Sequence, residues 1–181
     1  TNSIQLDGSS YCLDRADQFI NFPFGNKHVF KSTIPDLEIS RFQFVPDAIE
    51  GVILEYTFTN KSDQKLTFDF NFSGYIDLMP AWLGERVGMI NDVDNLNFDE
   101  IRQAWRGKDE SNDWFVLFGS NETAIQSESA DSNCGYAPQG KGASSNLQYK
   151  ISLKAEEVKT IKVFIAGSYK SQKNVEKTYD L

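Results

Sequence analysis

The stretch from Gly51 to Ile76 constrains this chain more than any other, because its side chains alternate with a period of two through two successive runs. In VILEYTFTN, Val52, Leu54, Tyr56 and Phe58 share one face and Glu55, Thr57 and Thr59 the other. In KLTFDFNFSGY, Leu66, Phe68, Phe70 and Phe72 share one face, and Thr67, Asp69, Asn71 and Ser73 the other. A helix would spread these residues around its surface. A strand sorts them, because successive side chains point to opposite faces. The polar NKSDQ between the runs reads as a turn. The expectation is a long antiparallel hairpin with one buried and one wet face.

The remaining strands follow the same logic. DLEISRFQFVP places Leu37 and Ile39 in one phase and Phe42 and Phe44 in the other, a one-residue shift that predicts a bulge near Arg41. DWFVLFGS is apolar on both faces from Trp114 to Phe118, as a central strand would be. NLQYKISLKA alternates Leu147, Tyr149, Ile151 and Leu153, and EVKTIKVFIAGS alternates Ile161, Val163 and Ile165. These two read as a closing hairpin turning at Ala155 to Glu157. Shorter strands are expected near Ile4, Phe19 to Phe22, His28 to Lys31, Ile101 to Trp105 and Thr123 to Glu128. No helical pattern of ordinary length precedes Tyr169. Many strands joined by short turns specify an all-β fold, an antiparallel two-sheet β-sandwich. Two irregular regions interrupt it, DLMPAWLGERVGMINDVDNLNFDE and SADSNCGYAPQGKGASSN, and long irregular stretches in a compact domain usually carry function or motion.

The chain closes on GSYKSQKNVEKTYDL. Ser171 can cap a helix, and Val175 and Tyr179 fall on one face of it. A helix of about two turns is marginal in water by itself, and the sequence shows no partner for its apolar face. The domain expectation is therefore a β-sandwich over 1–168 and, over 169–181, the start of a helical linker to a downstream domain.

A chain of 181 residues with 40% hydrophobic side chains can bury a sizeable core, and one domain is the natural count. The formal net charge of −8 repels phosphate backbones and anionic lipid headgroups, so neither nucleic acid nor membrane is an expected partner. No apolar run approaches the length of a membrane-spanning helix. Cys12 and Cys134 either pair, closing a long loop, or sit apart as two buried thiols. The compartment stays open, with a periplasmic or extracellular setting favoured over the cytoplasm.

No catalytic constellation emerges. A single histidine, His28, excludes a histidine metal cluster or a histidine-based triad in its usual form, and as a lone general base it would need a partner. There is no glycine-rich phosphate loop. Asp92, Asp94 and Asp99 in NDVDNLNFDE could offer oxygen ligands to calcium, but Leu96 and Asn97 occupy places where a calcium-hand loop needs a ligand and a glycine. A solvated acidic loop is the competing reading. Asp77, Glu85, Asp92 and Asp94 could supply a glycosidase carboxylate pair, yet nothing singles one out as the raised-pKa acid. Asn60, Asn71 and Asn121 head glycosylation sequons of a kind expected by chance in so Asn- and Ser-rich a chain. Trp114, in its doubly apolar strand, reads as core. Trp82 follows Pro80 in an irregular segment, which makes it a contact residue or a lid over the sandwich edge.

The order of GVILEYTFTNKSDQKLTFDFNFSGYIDLMPAWL, with Asp77, Pro80 and Trp82 at its end, then SNDWFVLFGS, then the close FIAGSYKSQ, resembles the N-terminal β-sandwich of (α/α)6-barrel glycoside hydrolases of the glycogen-debranching kind. The likeness runs from about Phe19 to the end of the chain and rests on sandwich patterns plus one Asp-Leu-x-Pro-x-Trp segment. It implies a supersandwich-like fold, joined by a helical linker to a catalytic barrel that holds the acid and base. No catalytic residue of that family maps onto this chain. The resemblance places the junction with the barrel at DLMPAWLGE, with Asp77 and Pro80 in it and Trp82 as anchor, and Trp105 joins Trp82 as a candidate glycan contact. It implies a non-catalytic domain supporting an enzyme of α-glucans or related glycans. Two rival readings stand beside it. One is a carbohydrate-binding module that stacks sugars on Trp82 and Trp105. The other is an adhesion or assembly domain that pairs through its sheet edges.

Overall fold

A computed structural model describes residues 2–125, 134 and 140–181. Twelve strands are seen: β1 (Asn2–Leu6), β2 (Ser9–Cys12), β3 (Gln18–Phe22), β4 (Gly25–Phe30), β5 (Leu37–Phe44), β6 (Gly51–Asn60), β7 (Leu66–Ile76), β8 (Asp94–Asp99), β9 (Ala104–Asp109), β10 (Phe115–Ser120), β11 (Ala143–Leu153) and β12 (Val158–Ser168). One short helix, α1 (Gln172–Tyr179), follows. The strands form a four-stranded sheet ordered β11-β7-β1-β2 and an eight-stranded sheet ordered β3-β4-β5-β6-β12-β10-β9-β8, with every pairing antiparallel. The expected all-β two-sheet sandwich is the observed one.

The expected hairpins are not. β6 pairs with β5 and β12 in the large sheet, whereas β7 pairs with β1 and β11 in the small one. The NKSDQ turn is thus an arch between sheets. β11 and β12 are split in the same way, so their connection is a second arch. The physical reason lies in the apolar faces. Tyr56 and Phe58 of β6 pack across the sheets against β7 in tilted and edge-on contacts, with ring centroids 4.8 Å apart for Tyr56–Phe70, 5.1 Å for Phe58–Phe70 and 5.5 Å for Phe58–Phe68. Stacking the two apolar faces hides both from water, whereas a hairpin would lay them side by side on one surface still needing a cover. Asn60, fully buried, ties the arches together: its Nδ2 donates to the carbonyls of Gln64 at 2.7 Å and Lys154 at 2.9 Å, and its Oδ1 accepts from the Ser62 amide at 3.0 Å. Burial also makes the Asn60 sequon an inaccessible glycan acceptor in the folded chain.

There is no bulge at Arg41. β5 pairs without interruption with β4 and β6, from Leu37↔Asn60 to Phe44↔Ile53. The phase change is real but has another meaning. Leu37, Ile39 and Arg41 face inward, and Phe42 and Phe44 face outward, where they meet Phe22 and Phe24 in an aromatic cluster on the outside of the large sheet.

The acidic loop is also partly strand. Asp94–Asp99 forms β8 at the edge of the large sheet, with Leu96 and Phe98 turned to the core. The expected strand near Ile101 begins at Ala104, after a turn. Of the strand expected over Thr123 to Glu128, residues 123–125 are not in a strand and the rest lie outside the described residues, as does most of the second irregular region. Cys12 and Cys134 form a disulfide, which settles the choice left open by the sequence.

Helix α1 has a packing partner. It lies on the outer face of the large sheet, where Val175 is fully buried among Ala104, Phe115, Leu117 and Ala166. Tyr179 reaches the β10 backbone so closely that a Cβ at Gly119 would collide with its hydroxyl. Ser171 caps the helix as expected, its Oγ accepting from the Asn174 amide at 3.2 Å. Arg102 grips Asp180 with two hydrogen bonds of 2.9 Å, and Arg106 reaches Glu176 at 3.4 Å. These cations sit at the helix C-terminal turn, the end where positive charge is favoured.

Candidate functional site

Where β7 runs out, the chain turns through Asp77 to Pro80 and projects a loop that reaches β8. The ladder with β11 ends at Ile76; Pro80, four residues on, is buried and has no N–H with which to resume it. Trp82 comes next, with φ of 58° and 94% of its surface exposed. A non-glycine residue in the left-handed region costs on the order of 1 kcal/mol, and an indole in water is an unsatisfied apolar surface. A single 3-10 turn, Gly84–Val87, follows and is stopped by Gly88 at φ 88°. Met79, Leu83, Val87, Met89 and Ile90 are exposed around it. Singly exposed apolar residues are ordinary; this many on one loop form a patch.

Polar anchors fix the base of this loop. The Leu78 amide donates to Asp94 Oδ2 at 2.7 Å, Asn112 Nδ2 donates to the Ile90 carbonyl at 2.7 Å, and Lys141 Nζ donates to the Asn91 carbonyl at 2.9 Å. Between the loop and the sheet end lies a groove of about 460 Å³, lined by Asp77, Pro80, Met89, Trp114, Ser168 and Tyr169. Trp114 is thus half-buried at the groove rather than inside the core.

The sequence-predicted site residues therefore part company. Asp77 and Pro80 line the groove and Trp82 stands beside it on the same loop. Trp105 does not belong with them. It is 6% exposed, packs edge-on against Phe98 at 5.3 Å and donates its indole N–H to the Asn146 carbonyl at 3.1 Å. Its place on β9 faces the core, so it can neither stack a sugar nor touch a partner.

The carboxylates proposed for calcium are separately engaged. Asp99 is held by Arg102 at 3.1 Å and Arg106 at 3.5 Å; burial pushes its carboxyl up, but these bonds leave it below the usual range. Asp92 takes hydrogen bonds from Ser111 and Val93, which lower its carboxyl. Asp94 is 5% exposed, and its Oδ1 has no partner. Among the described residues no three His, Cys, Asp or Glu groups are placed to hold a metal ion.

Burial raises the Asp94 carboxyl above the ordinary carboxylate value; the Leu78 amide works against this, and the charges of Asp109 and Asp77 add to the rise. A carboxyl raised on folding contributes stability below the unfolded value of 3.8, and that contribution is lost as pH rises through the folded pKa. Asp94→Asn keeps an acceptor for Leu78 and removes the buried charge. The variant is expected to unfold at a higher temperature than the parent at pH 7, with the gain gone at pH 3. Thermal melts across that range check it, and a pH-independent difference would contradict it.

Sequence reasoning missed two further features. One is the outward aromatic cluster of Phe22, Phe24, Phe42 and Phe44; its signal was the phase change in β5. The other lies on the inner face, where Arg41 Nη2 meets His28 Nδ1 at 3.2 Å and the ring of Phe19 lies 5.0 Å from that of His28.

No family model and no curated protein matches the chain. Solved structures do. A human-microbiome chain provisionally named kojibiose phosphorylase is similar with a TM-score of 0.60 at 12% identity, over 99% of this chain and 23% of its own length. Heparan sulfate lyase HepC from Pedobacter heparinus is similar with a TM-score of 0.59 at 8% identity, over 94% of this chain and 24% of its own. An Escherichia coli K12 protein provisionally named aldose 1-epimerase is similar with a TM-score of 0.57 at 10% identity, over 92% of this chain and 79% of its own. At such identities the likeness establishes the fold, a two-sheet sandwich that occurs both within much larger carbohydrate-active chains and as most of a smaller one.

Proposed function

We propose that this chain is a non-catalytic N-terminal β-sandwich domain of a glycan-processing enzyme, and that its Trp82 loop docks on a catalytic (α/α)6 barrel elsewhere in the same polypeptide. The observation that carries the reading is the 94% exposure of Trp82 amid exposed Met79, Leu83, Val87, Met89 and Ile90. A patch of this kind on a loop anchored by three polar contacts is an interaction surface. The sandwich neighbours that are carbohydrate-active enzymes several times longer than this chain support it. Residues 169–181 then begin the connection, with α1 fixing the direction in which it leaves the sheet. The substrate class follows the same reading: α-linked glucans or related glycans. The disulfide favours an oxidising compartment, periplasmic or extracellular.

The purified chain is expected to turn over no member of an aryl glycoside panel. Turnover that disappears on replacing one of its own Asp or Glu residues would overturn the reading. Trp82→Ala is expected to change the stability of the chain by less than about 0.5 kcal/mol, as exposed positions do. The same change should weaken association with the polypeptide encoded downstream by about tenfold or more, as loss of an aromatic anchor does. Calorimetric titration of the two parts measures it, and unaltered association would remove Trp82 from the interface.

A further inference from the structure

We propose that the inner face of the large sheet at β3, β4 and β5 is a binding site for a sugar unit carrying an oxyanion, with Arg41 as the anion-binding residue. The large sheet has eight strands and the small sheet four, so among the described residues the strands of the small sheet do not cover the whole inner face. Register places Arg41 there. It pairs with Tyr56 on one side and His28 on the other, and His28 pairs with Phe19. Phe19 is on this inner face and yet 62% exposed, which shows that the face is open to solvent at this edge.

The groups gathered there are incompletely satisfied. Arg41 Nη2 donates to His28 Nδ1, while Arg41 Nε is buried without a partner. Among the described residues no carboxylate lies within ion-pair distance of Arg41, although the chain carries 26 acidic side chains. The side chain as a whole is half-buried and also hydrogen-bonds the Tyr56 hydroxyl, so its unused donor is Nε, and an oxyanion at the open edge would supply both an acceptor and the missing counter-charge. Asn26 Oδ1, from the strand between, and Asn2 Oδ1, beside the Tyr56 hydroxyl, are likewise buried and unpartnered. Because His28 Nδ1 accepts from Arg41, the imidazole proton sits on Nε2 and can be donated outward. Burial, with the Arg41 charge, lowers the His28 pKa, so the ring is neutral at pH 7.

The set matches one class of ligand. Arg41 offers a fork to a carboxylate or sulfate. His28 and Asn26 offer a donor and an acceptor to neighbouring hydroxyls. Phe19 offers an exposed ring at the rim, against which the apolar face of a pyranose can lie. Among the described residues no carboxylate stands opposite His28 to complete an acid–base pair, so the role proposed for the site is binding. The sugar half of this inference rests on the glycan-enzyme reading above; the anion half rests on Arg41 alone.

The test is calorimetric titration of the whole chain with glucuronate, glucose 6-sulfate, glucose and inorganic sulfate. Saturable binding of either acidic sugar is expected, with glucose weaker by about tenfold or more, the weight of one charge-assisted hydrogen bond. The tighter of the two acidic sugars identifies the oxyanion. Arg41→Met should abolish this preference while leaving the melting temperature unchanged or raised, since it removes an unpaired charge. Phe19→Ala, at an exposed position, should weaken both acidic sugars and leave the fold intact. Inorganic sulfate binding as tightly as the sugars would overturn the sugar half. No saturation by either sugar, or an Arg41→Met chain that melts far lower, would overturn the whole, the latter by making Arg41 structural. Neither result touches docking through Trp82, which is read by association with the downstream polypeptide.

Discussion

Reducing the Cys12–Cys134 bridge is expected to lower the unfolding temperature of this chain by roughly 10–15 °C. The bond joins residues 122 apart in sequence, so it forbids a large share of the conformations open to the unfolded chain. In the loop-entropy account a closure of that length contributes about 4–5 kcal/mol, and for a chain of this size each kcal/mol moves the midpoint by about 2–4 °C. The bridge also has a local task. It fastens β2, the outer strand of the small sheet, to residue 134, in the long connection between β10 and β11. Among the described residues β2 otherwise pairs only with β1. Melts with and without reductant, repeated on a Cys12→Ser, Cys134→Ser double variant, measure the effect. Coincident melts would show that the small sheet needs no such tether.

Asn60→Ala is expected to destabilise the chain by about 3–4 kcal/mol, far more than its three lost side-chain atoms would cost at the surface. Asn60 is completely buried and is the point where both sheet-crossing arches are joined. Its amide satisfies the Gln64 and Lys154 carbonyls, and its Oδ1 takes both the amide and hydroxyl of Ser62. Alanine removes four hydrogen bonds from a fully buried side chain; the Lys154 carbonyl keeps the Glu157 amide and the Gln64 carbonyl keeps the Ser62 hydroxyl, but each lost bond costs about 1 kcal/mol. Asn60→Asp should be worse than Asn60→Ala, because it retains the acceptor but turns a second carboxylate oxygen toward two carbonyls. Urea denaturation gives the comparison. A loss below about 1 kcal/mol for Asn60→Ala would mean that the arches hold themselves.

Asn60 also marks where reading the sequence falls short. Its neighbours Leu54, Tyr56, Phe58, Phe68, Phe70 and Phe72 announced two strands and their buried faces correctly. A polar five-residue connection announced a reversal. Neither feature says whether the two strands then lie beside each other or across from each other. The Phe42 and Phe44 phase change is similar. Alternation that shifts by one residue is produced by a bulge, but equally by a regular strand with something to bury on both faces. β5 is the second case, with Ile39 in the core and Phe42 in the outer aromatic cluster. The outer cluster and the Arg41–His28–Phe19 set were invisible for that reason. The exposure of Trp82 was legible because it sits in an irregular segment just past the end of a strand, where a large aromatic has few local uses. Trp105 was not, since Phe98 and Asn146, which enclose it, come from other strands.

What the sequence determined by itself was local: which residues are extended, which face of each strand shuns water, that the chain turns irregular by Pro80 and that Ser171 starts a helix. These follow from side-chain direction and backbone chemistry within a few residues. What the tertiary structure alone decided was partnership. It chose arches over hairpins, placed α1 on the large sheet through Val175, joined Cys12 to Cys134 and left Arg41 facing a surface with no counter-charge among the described residues. An apolar face specifies that it must be covered; the cover that wins is the one that buries the most area for the whole chain at once.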